Sequence, residues 1–233
     1  MKQGATAGAT SRGILTAEFA AMLRDIEDEL ACTSREVGKT AFDPRVMAAL
    51  TAVPRERFVP LSHRTLAFAN GPLPIGHGQT ISQPYIVALM TDLLAPRADS
   101  VVLEIGTGSG YQAAVLAEIV RQVYSVEVVA ALAEAARERL AALGYANVTV
   151  RHADGHDGWP EHAPYDGIVV TAATPDVPPA LVAQLRTGGR LVVPVGFPGH
   201  IQQLRLIEKR EDGSVASRDL LPVAFVPLTR ALR

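Results

Sequence analysis

Apolar residues recur at helical spacing in the first part of the chain. The first such stripe begins after Thr16, which we predict as the N-cap of an amphipathic helix, and consists of Phe19, Met22, Leu23, Ile26 and Leu30. A second helix is predicted from Asp43 and Pro44, a capping residue followed by a first-turn proline, up to Pro54. Strand-like alternation is not evident before residue 100, so this part is predicted to contain helices and loops.

After Ser100 the pattern changes to short apolar runs alternating with helical segments. The runs VVLEI, QVYSVEVV, VTVRHA, YDGIVVTAA and RLVVPVG read as strands, separated by the helix-like segments 111–120, 131–144 and 178–189. Such alternation predicts βαβ units and a mostly parallel sheet with helices on both faces, which is an α/β fold. In the last segment, residues 201–228, EDGS stands between two extended runs and predicts a closing antiparallel hairpin.

Composition restricts the class of protein. The chain has 233 residues, of which 48% are hydrophobic and 20% charged, and its net charge is −2. It can therefore bury a full core, and it offers no basic surface for nucleic acid. No run approaches the roughly 18 apolar residues that span a bilayer, and no apolar signal sequence follows the first methionine, so a cytoplasmic protein without membrane contact is expected. The single Cys32 is interpreted as a small residue on a helix.

A glycine-rich turn, GTGSG, separates the strand VVLEI from the next helix. Gly106, Gly108 and Gly110 let the backbone turn tightly and present N–H groups to a ligand. From Gly108 onward the sequence also satisfies the dinucleotide pattern G-x-G-x-x-A, so a nicotinamide-dependent oxidoreductase remains an alternative. Glu127, at the end of the next strand, can accept both ribose hydroxyls, and Glu104 is expected to place negative charge at the cofactor mouth. That charge favours a cationic ligand such as S-adenosylmethionine.

The loop PIGHGQTISQP, from Pro74 to Pro84, contains no charged side chain. Its hydroxyls and amides are suited to holding a polar group, and its glycines and prolines to fixing their positions. Ser82 can cap the helix predicted from QPYIVALM, contact a substrate, or do both. His77 is interpreted as structural, because a lone histidine in a glycine-rich loop is more often structural than catalytic. The histidines and aspartates of residues 152–162 have no metal-site spacing, so no metal is predicted.

Several of these segments together resemble one family. LEIGTGSGYQ resembles motif I of class I methyltransferases, and GHGQTISQPYIVALM is similar to the N-terminal signature of protein-L-isoaspartate O-methyltransferases. VPRERFVP, GWPEHAPYDGIVVTAA and LVVPVG resemble further conserved blocks of that family, and the resemblance covers residues 16–229. It implies a Rossmann-like, doubly wound sheet of seven strands with an antiparallel last strand. Residues 1–15 are expected to be disordered, because the first dozen of them are small and polar. Residues 16–98 are expected to be helical with the substrate loop and 99–233 to bind S-adenosyl-L-methionine, the two forming one compact unit.

The resemblance also implies site residues. Cofactor contacts are expected from Glu104, Gly106, Thr107, Gly108, Gly110, Glu127, Asp154, Gly155 and Thr171. Ser82 matches the active-site serine, with Thr80, Ile81 and Gln83 in the same loop, and Ala172 joins Thr171 on the cleft floor. Pro194 and Val195 are expected on an edge strand that pairs with substrate peptide.

The implied activity is methyl transfer from S-adenosyl-L-methionine to the free α-carboxylate of L-isoaspartyl residues in damaged proteins and peptides, by a monomeric enzyme. That carboxylate is ionised at neutral pH, so it needs orientation by neutral donors rather than a general base. Two alternatives stay open beside the oxidoreductase: a relative that methylates one dedicated peptide aspartate or a small carboxylic acid, and a non-catalytic cofactor-binding protein.

Overall fold

The computed structural model describes residues 17–197 and 199–230. Thr16, the predicted N-cap of the first helix, and the segment 1–15 that was expected to be disordered lie outside the described residues. The first helix begins at Ala17 and carries the predicted apolar stripe, in which Met22, Ile26 and Leu30 are buried. Cys32 is exposed on this helix, as predicted.

The described part of the chain contains six α-helices and nine strands. The helices are α1 Ala17–Val37, α2 Pro44–Ala52, α3 Pro84–Leu93, α4 Tyr111–Ala117, α5 Ala130–Ala142 and α6 Pro179–Gln184. The strands are β1 Leu73–Gly76, β2 Gln79–Ile81, β3 Val101–Ile105, β4 Gln122–Glu127, β5 Val148–His152, β6 Tyr165–Val170, β7 Leu185–Val195, β8 Gln202–Lys209 and β9 Val215–Val223. Short 3-10 turns occur at Arg55–Arg57, Leu61–Leu66, Gly155–Asp157 and Pro160–His162. None of the helices described combines the length and apolar character that crossing a membrane requires.

Seven strands form one sheet in the order β5-β4-β3-β6-β7-β8-β9. The pairs among β3 to β7 are parallel, whereas β8 runs antiparallel to β7 and β9 pairs antiparallel with β8. The predicted doubly wound, mostly parallel sheet with a closing antiparallel hairpin is therefore confirmed. In such sheets the carboxyl ends of the parallel strands meet at one edge, where ligands bind.

Two predictions about local structure are wrong. The first hundred residues do contain strands, since β1 and β2 form an antiparallel hairpin. Each strand is only three or four residues long, too short for alternation to be visible in the sequence. The helix predicted over 178–189 ends at Gln184, because the backbone at Leu185 already pairs with Tyr165 of β6. Non-local strand pairing has overridden the local helical pattern.

The helices before residue 100 pack onto one face of the sheet. All ten residues of α3 are buried, and its side chains share one apolar cluster with α1, α2 and α4 and with strand residues such as Val102 and Leu206. A second cluster, which includes Leu103, Ile168 and Trp159, fills the other face. Because α3 is held between the N-terminal helices and the sheet, the loop that precedes it is fixed over the carboxyl edge of the strands.

Candidate functional site

A cleft lies where β3, β4 and β6 end. Its lining comes from the glycine turn after β3, the end of β4, the end of β6, and the loop before α3, with a wall from residues 226–229. The predicted residues that line it are Thr80, Ile81, Ser82, Gly106, Thr107, Gly108, Glu127, Gly155, Thr171 and Ala172. The tertiary structure has thus brought together segments that are up to about 150 residues apart in sequence, as expected at a switch point of an α/β sheet.

The glycine turn has a backbone that other residues adopt with strain. Gly106 has φ +98°, and a Cβ built there would lie 2.5 Å from Oγ1 of Thr171. Thr171 donates from that oxygen to the carbonyl of Gly106 at 2.6 Å, so the turn after β3 is bound to the end of β6. A side chain at Gly106 would therefore disturb the cleft floor directly.

Glu127 is fixed by the turn that it faces. Its Oε2 accepts a hydrogen bond from the backbone N–H of Gly108 at 2.8 Å, and its Oε1 accepts one from Val129 at 2.9 Å. The carboxylate is almost fully buried at the end of β4 and lines the cleft. It lies where the sequence predicted a ribose-binding carboxylate, and its two hydrogen bonds hold it in that orientation.

The interpretation of Glu104 is corrected by the structure. Its side chain is fully buried and does not line the cleft. Ser125 donates a hydrogen bond to Oε2 of Glu104 and lies 2.5 Å from the hydroxyl of Thr107, whereas Oε1 of Glu104 has no hydrogen-bond partner among the residues described. Burial, opposed by the Ser125 hydrogen bond and helped by the charge of Glu127, raises the pKa of Glu104 to about 8. Glu104 is therefore mainly protonated at neutral pH and does not place negative charge at the cleft mouth.

The uncharged loop forms the partition between this cleft and a second groove. Thr80, Ser82, Thr171 and Val226 line both cavities. The hydroxyls of Thr80 and Ser82 make no hydrogen bond with any described residue, so both can donate to a ligand. Ser82 does not cap α3, because Gln83 occupies the N-cap position and the cap has no side-chain hydrogen bond.

The groove on the far side of the partition is lined mostly by apolar residues. Ile86 of α3, Ile201 before β8 and Phe225 after β9 belong to this lining. Glu29 of α1 is the one ionisable residue in it, counting only the described part of the chain. Its Oε2 accepts hydrogen bonds from the side-chain amides of Asn70 and Gln83, both at 2.7 Å, so Gln83 faces the groove from a fixed position.

The segment after β9 was missed as a site element. Gln202 makes two hydrogen bonds with the backbone of Phe225, donating to its carbonyl at 3.0 Å and accepting from its N–H at 2.7 Å. Further along, Ala173 donates to the carbonyl of Val226 and accepts from Leu228. These contacts hold residues 225–228, of which Phe225 lines the groove, Pro227 and Leu228 line the cleft, and Val226 lines both. Only a run of apolar residues marks this segment in the sequence, which carries no signal for a binding wall.

Two more residues that were predicted to contact the cofactor do not line the cleft. Asp154 caps a 3-10 turn and accepts hydrogen bonds from the backbone and the ring of His156, each at 2.9 Å, while its neighbour Gly155 lines the cleft. Gly110 is the N-cap of α4, and a Cβ there would meet Leu140 of α5 at 3.2 Å. Gly110 therefore allows close helix packing rather than contact with a ligand in the cleft.

The expectation that Pro194 and Val195 lie on an edge strand is wrong. They belong to β7, which is paired with β6 on one side and β8 on the other. At this end of β7 the carbonyl of Pro194 accepts from the N–H of Thr174, so the backbone already has partners on both sides. A substrate peptide cannot pair with this strand, and neither residue lines the cleft or the groove.

Two other candidate groups do not take part in the cleft. His77 is exposed at the tip of the β1–β2 hairpin, where its φ of +53° reflects the tight turn between two glycines. Within the described ranges no group of three or more His, Cys, Asp or Glu side chains is arranged to hold a metal ion.

Comparison with known proteins agrees with the geometry of the cleft. The family model described as protein-L-isoaspartate(D-aspartate) O-methyltransferase matches residues 26–233. A protein-L-isoaspartate O-methyltransferase 2 from Syntrophobacter fumaroxidans is 61% identical over 210 residues, which cover 90% of this chain and 85% of that protein. A protein of the same name from Polaromonas sp. is 57% identical over 208 residues, 89% of this chain and 99% of the relative.

Solved structures show the same architecture. A structure named protein-L-isoaspartate O-methyltransferase superposes with a TM-score of 0.74 at 30% identity, covering 88% of this chain and 67% of that one. A Plasmodium falciparum structure, described as a beta-aspartate methyltransferase in complex with S-adenosyl-L-homocysteine, has a TM-score of 0.72. It covers 89% of this chain and 98% of its own, and at 23% identity it supports the fold alone.

Proposed function

Since the chain belongs to the protein-L-isoaspartate(D-aspartate) O-methyltransferase family and is an S-adenosyl-L-methionine-dependent enzyme, we propose how its cleft and its groove bind the two substrates. The reaction is methyl transfer to the free α-carboxylate of L-isoaspartyl residues in proteins and peptides, which initiates repair. No described residue of the cleft favours the nicotinamide-dependent alternative, or a relative that methylates one dedicated peptide aspartate or a small carboxylic acid.

The residues at the cleft fit S-adenosyl-L-methionine. The glycine turn lets the backbone lie close to a ligand, and Glu127, held by the N–H of Gly108, offers carboxylate oxygens at the end of β4. Gln112 of α4 also lines the cleft, and its buried Oε1 has no hydrogen-bond partner among the described residues. Such an unsatisfied acceptor is costly unless a ligand with donors is bound. When bound, the cofactor supplies a methyl carbon activated by the adjacent sulfonium.

The observation that carries the proposal is the partition shared by cleft and groove. Thr80 and Ser82 face both, with hydroxyls that no described residue engages. A carboxylate entering from the groove would accept hydrogen bonds from these neutral donors while one of its oxygens faces the cleft. Since a carboxyl with a pKa near 4 is already ionised, the residues need only orient it and exclude water. A fixed cation here would stabilise the charge that is lost in the transition state.

The groove would hold the rest of the substrate. Its lining is apolar over most of its length, which suits contact with many different side chains rather than one sequence. Gln83, fixed by Glu29, stands beside Ser82 and can bind the peptide backbone next to the reacting carboxylate. This arrangement supports a general repair substrate rather than one dedicated peptide.

The deciding experiment measures transfer of a labelled methyl group to a peptide with one isoaspartyl residue and to the same peptide with ordinary aspartate. We expect labelling of the isoaspartyl form only. Ser82→Ala should lower kcat by roughly tenfold, because the carboxylate then loses a donor that orients it for attack. Ser217→Ala, at an exposed position of β9, is the matched control and should leave kcat unchanged.

Three outcomes would contradict the proposal. Equal labelling of both peptides would show that the enzyme does not select the isoaspartyl carboxylate. Labelling of neither while the cofactor still binds would point to a relative with one dedicated substrate. Unchanged kcat in Ser82→Ala would remove the role assigned to that hydroxyl.

We also infer a monomeric enzyme of the cytoplasm that acts without nucleic acid or membrane partners. The near-neutral net charge of −2 and the single exposed cysteine support this inference. Residues 16–98 and 99–233 are proposed to form one compact unit, supported by the apolar cluster that joins α1 and α3 to the sheet. Light scattering during size-exclusion chromatography would test the monomer, and a single cooperative unfolding transition would test the compact unit.

A further inference from the structure

Behind the uncharged loop lies a fully buried arginine. The side chain of Arg55 has no exposed surface. Its Nε donates to the carbonyl of Ala67 at 2.9 Å, and its Nη2 donates to the carbonyls of Gly71 at 3.4 Å and Ser82 at 2.8 Å. One guanidinium thus joins the loop that contains Ala67 and Gly71 to the loop at Ser82, the serine to which the proposed function assigns the substrate contact.

No carboxylate compensates this buried charge within the described part of the chain. Arg55 forms no ion pair, and its Nη1 has no hydrogen-bond partner there. Its guanidinium lies 4.8 Å from the ring centre of Tyr111, the first residue of α4, which lines the cleft. Burying a cation without a carboxylate partner costs several kcal/mol, which the three carbonyl acceptors and the face of the Tyr111 ring offset. An apolar side chain at this position would leave the carbonyl of Ser82 without its donor.

We propose that Arg55 is a positioning residue for the methyl transfer: through the carbonyl of Ser82 it fixes the orientation in which the Ser82 hydroxyl meets the substrate carboxylate. This rests on the proposed function of Ser82. Arg55 lines neither the cleft nor the groove, so it fixes the loop through its carbonyls while the loop itself presents only neutral donors to the substrate. Contact with Tyr111 ties that loop to the wall of the cofactor cleft.

The geometry of the contact indicates what a substitution would change. A displacement of the hydroxyl by about 1 Å is enough to lower the rate on the order of a hundredfold. Arg55→Lys keeps the charge but cannot reach three carbonyls with a planar fork, and Arg55→Gln keeps donors without the charge. We expect either variant to lower kcat by at least about tenfold, with a smaller change in KM, because the loop is misplaced rather than removed.

A double-mutant cycle with Ser82→Ala separates positioning from general stability. The kcat for an isoaspartyl peptide is measured for wild type, Arg55→Lys, Ser82→Ala and the double variant, together with S-adenosyl-L-homocysteine affinity and urea unfolding. If Arg55 acts through the Ser82 hydroxyl, Arg55→Lys costs less than about threefold once that hydroxyl is absent. Arg57→Lys, two residues away and exposed, is the matched control and should leave kcat unchanged.

Each other outcome counts against the proposal. An equal loss of kcat in both backgrounds, or no loss in Arg55→Lys, overturns it. If Arg55→Gln does not fold, Arg55→Lys alone decides. Unchanged kcat in Ser82→Ala refutes the proposed role of Ser82 and with it this inference. Equal losses of kcat from Arg55→Lys with and without the Ser82 hydroxyl refute this inference alone, so the cycle distinguishes the two failures.

Discussion

Replacing the buried carboxyl of Glu104 by the isosteric amide, Glu104→Gln, should change how stability depends on pH. The carboxyl has an ordinary pKa of 4.5, whereas burial raises the pKa to about 8 in the folded protein. Between these two values the unfolded chain has released its proton and the folded protein still holds it. The contribution of Glu104 to the stability of the fold is therefore complete below about pH 4.5 and is lost as the pH rises towards about 8.

The magnitude follows from the two pKa values. While the folded protein binds one proton more than the unfolded chain, the free energy of unfolding falls by about 1.4 kcal/mol per pH unit. From about pH 5.5 to about pH 7.5 the contribution of Glu104 thus decreases by roughly 2–3 kcal/mol. Glutamine carries no charge in this range, so its contribution stays constant.

Urea unfolding of wild type and Glu104→Gln over this pH range measures the effect. The difference between the two proteins cancels the other titrating groups, and we expect it to move by roughly 2–3 kcal/mol in favour of the variant as the pH rises. Glu138→Gln, at an exposed position of α5, shows how much the same substitution changes the free energy of unfolding at the surface. A difference that stays flat with pH would refute the assignment of a protonated Glu104.

Three further predictions concern ligand contacts. Gly106→Ala places a Cβ 2.5 Å from Oγ1 of Thr171 at φ +98°. We expect calorimetry to show that S-adenosyl-L-homocysteine binds at least about tenfold more weakly. Unchanged affinity would contradict the assignment of this cleft as the cofactor site. Glu127→Gln removes the charge of a carboxylate that accepts hydrogen bonds from two backbone N–H groups. The affinity for S-adenosyl-L-homocysteine in the same assay should fall about tenfold. A loss of stability without a loss of affinity would rule out a contact between Glu127 and the ligand. Glu29→Gln removes the one ionisable group that the described residues contribute to the groove. It should lower kcat/KM for peptides with lysine beside the isoaspartate, relative to those with glutamate, by about two- to fivefold. The exposed Glu27→Gln is its control, and an equal ratio in both variants would exclude Glu29 as a contact.

Much of the fold follows from short-range pattern. The apolar stripe of α1, the alternation after Ser100 and the glycines of the turn each reflect backbone geometry that neighbouring residues impose on one another. The same is true of the uncharged loop, whose glycines and prolines restrict it whatever it packs against. These features were predictable because their causes lie within a few residues along the chain.

Where the sequence misled, the cause was a contact between distant segments. The strand that contains Pro194 was predicted to be an edge strand, but β8 pairs with its free side. The residues after Gln184 were predicted to be helical, but they form a strand that pairs with β6. Strand order depends on which chain segments meet, and a local pattern of apolar residues does not encode it.

The α/β class, the glycine turn and the neutral character of the loop at Ser82 can all be read from the order of residues along the chain. The burial and protonation of Glu104, the contact of Gln202 with Phe225 and the position of Arg55 against the loop depend on how the chain folds. The physical reason is that local backbone preferences act through neighbours along the chain, whereas burial, proton affinity and the partners of a charged side chain depend on segments that folding alone brings together.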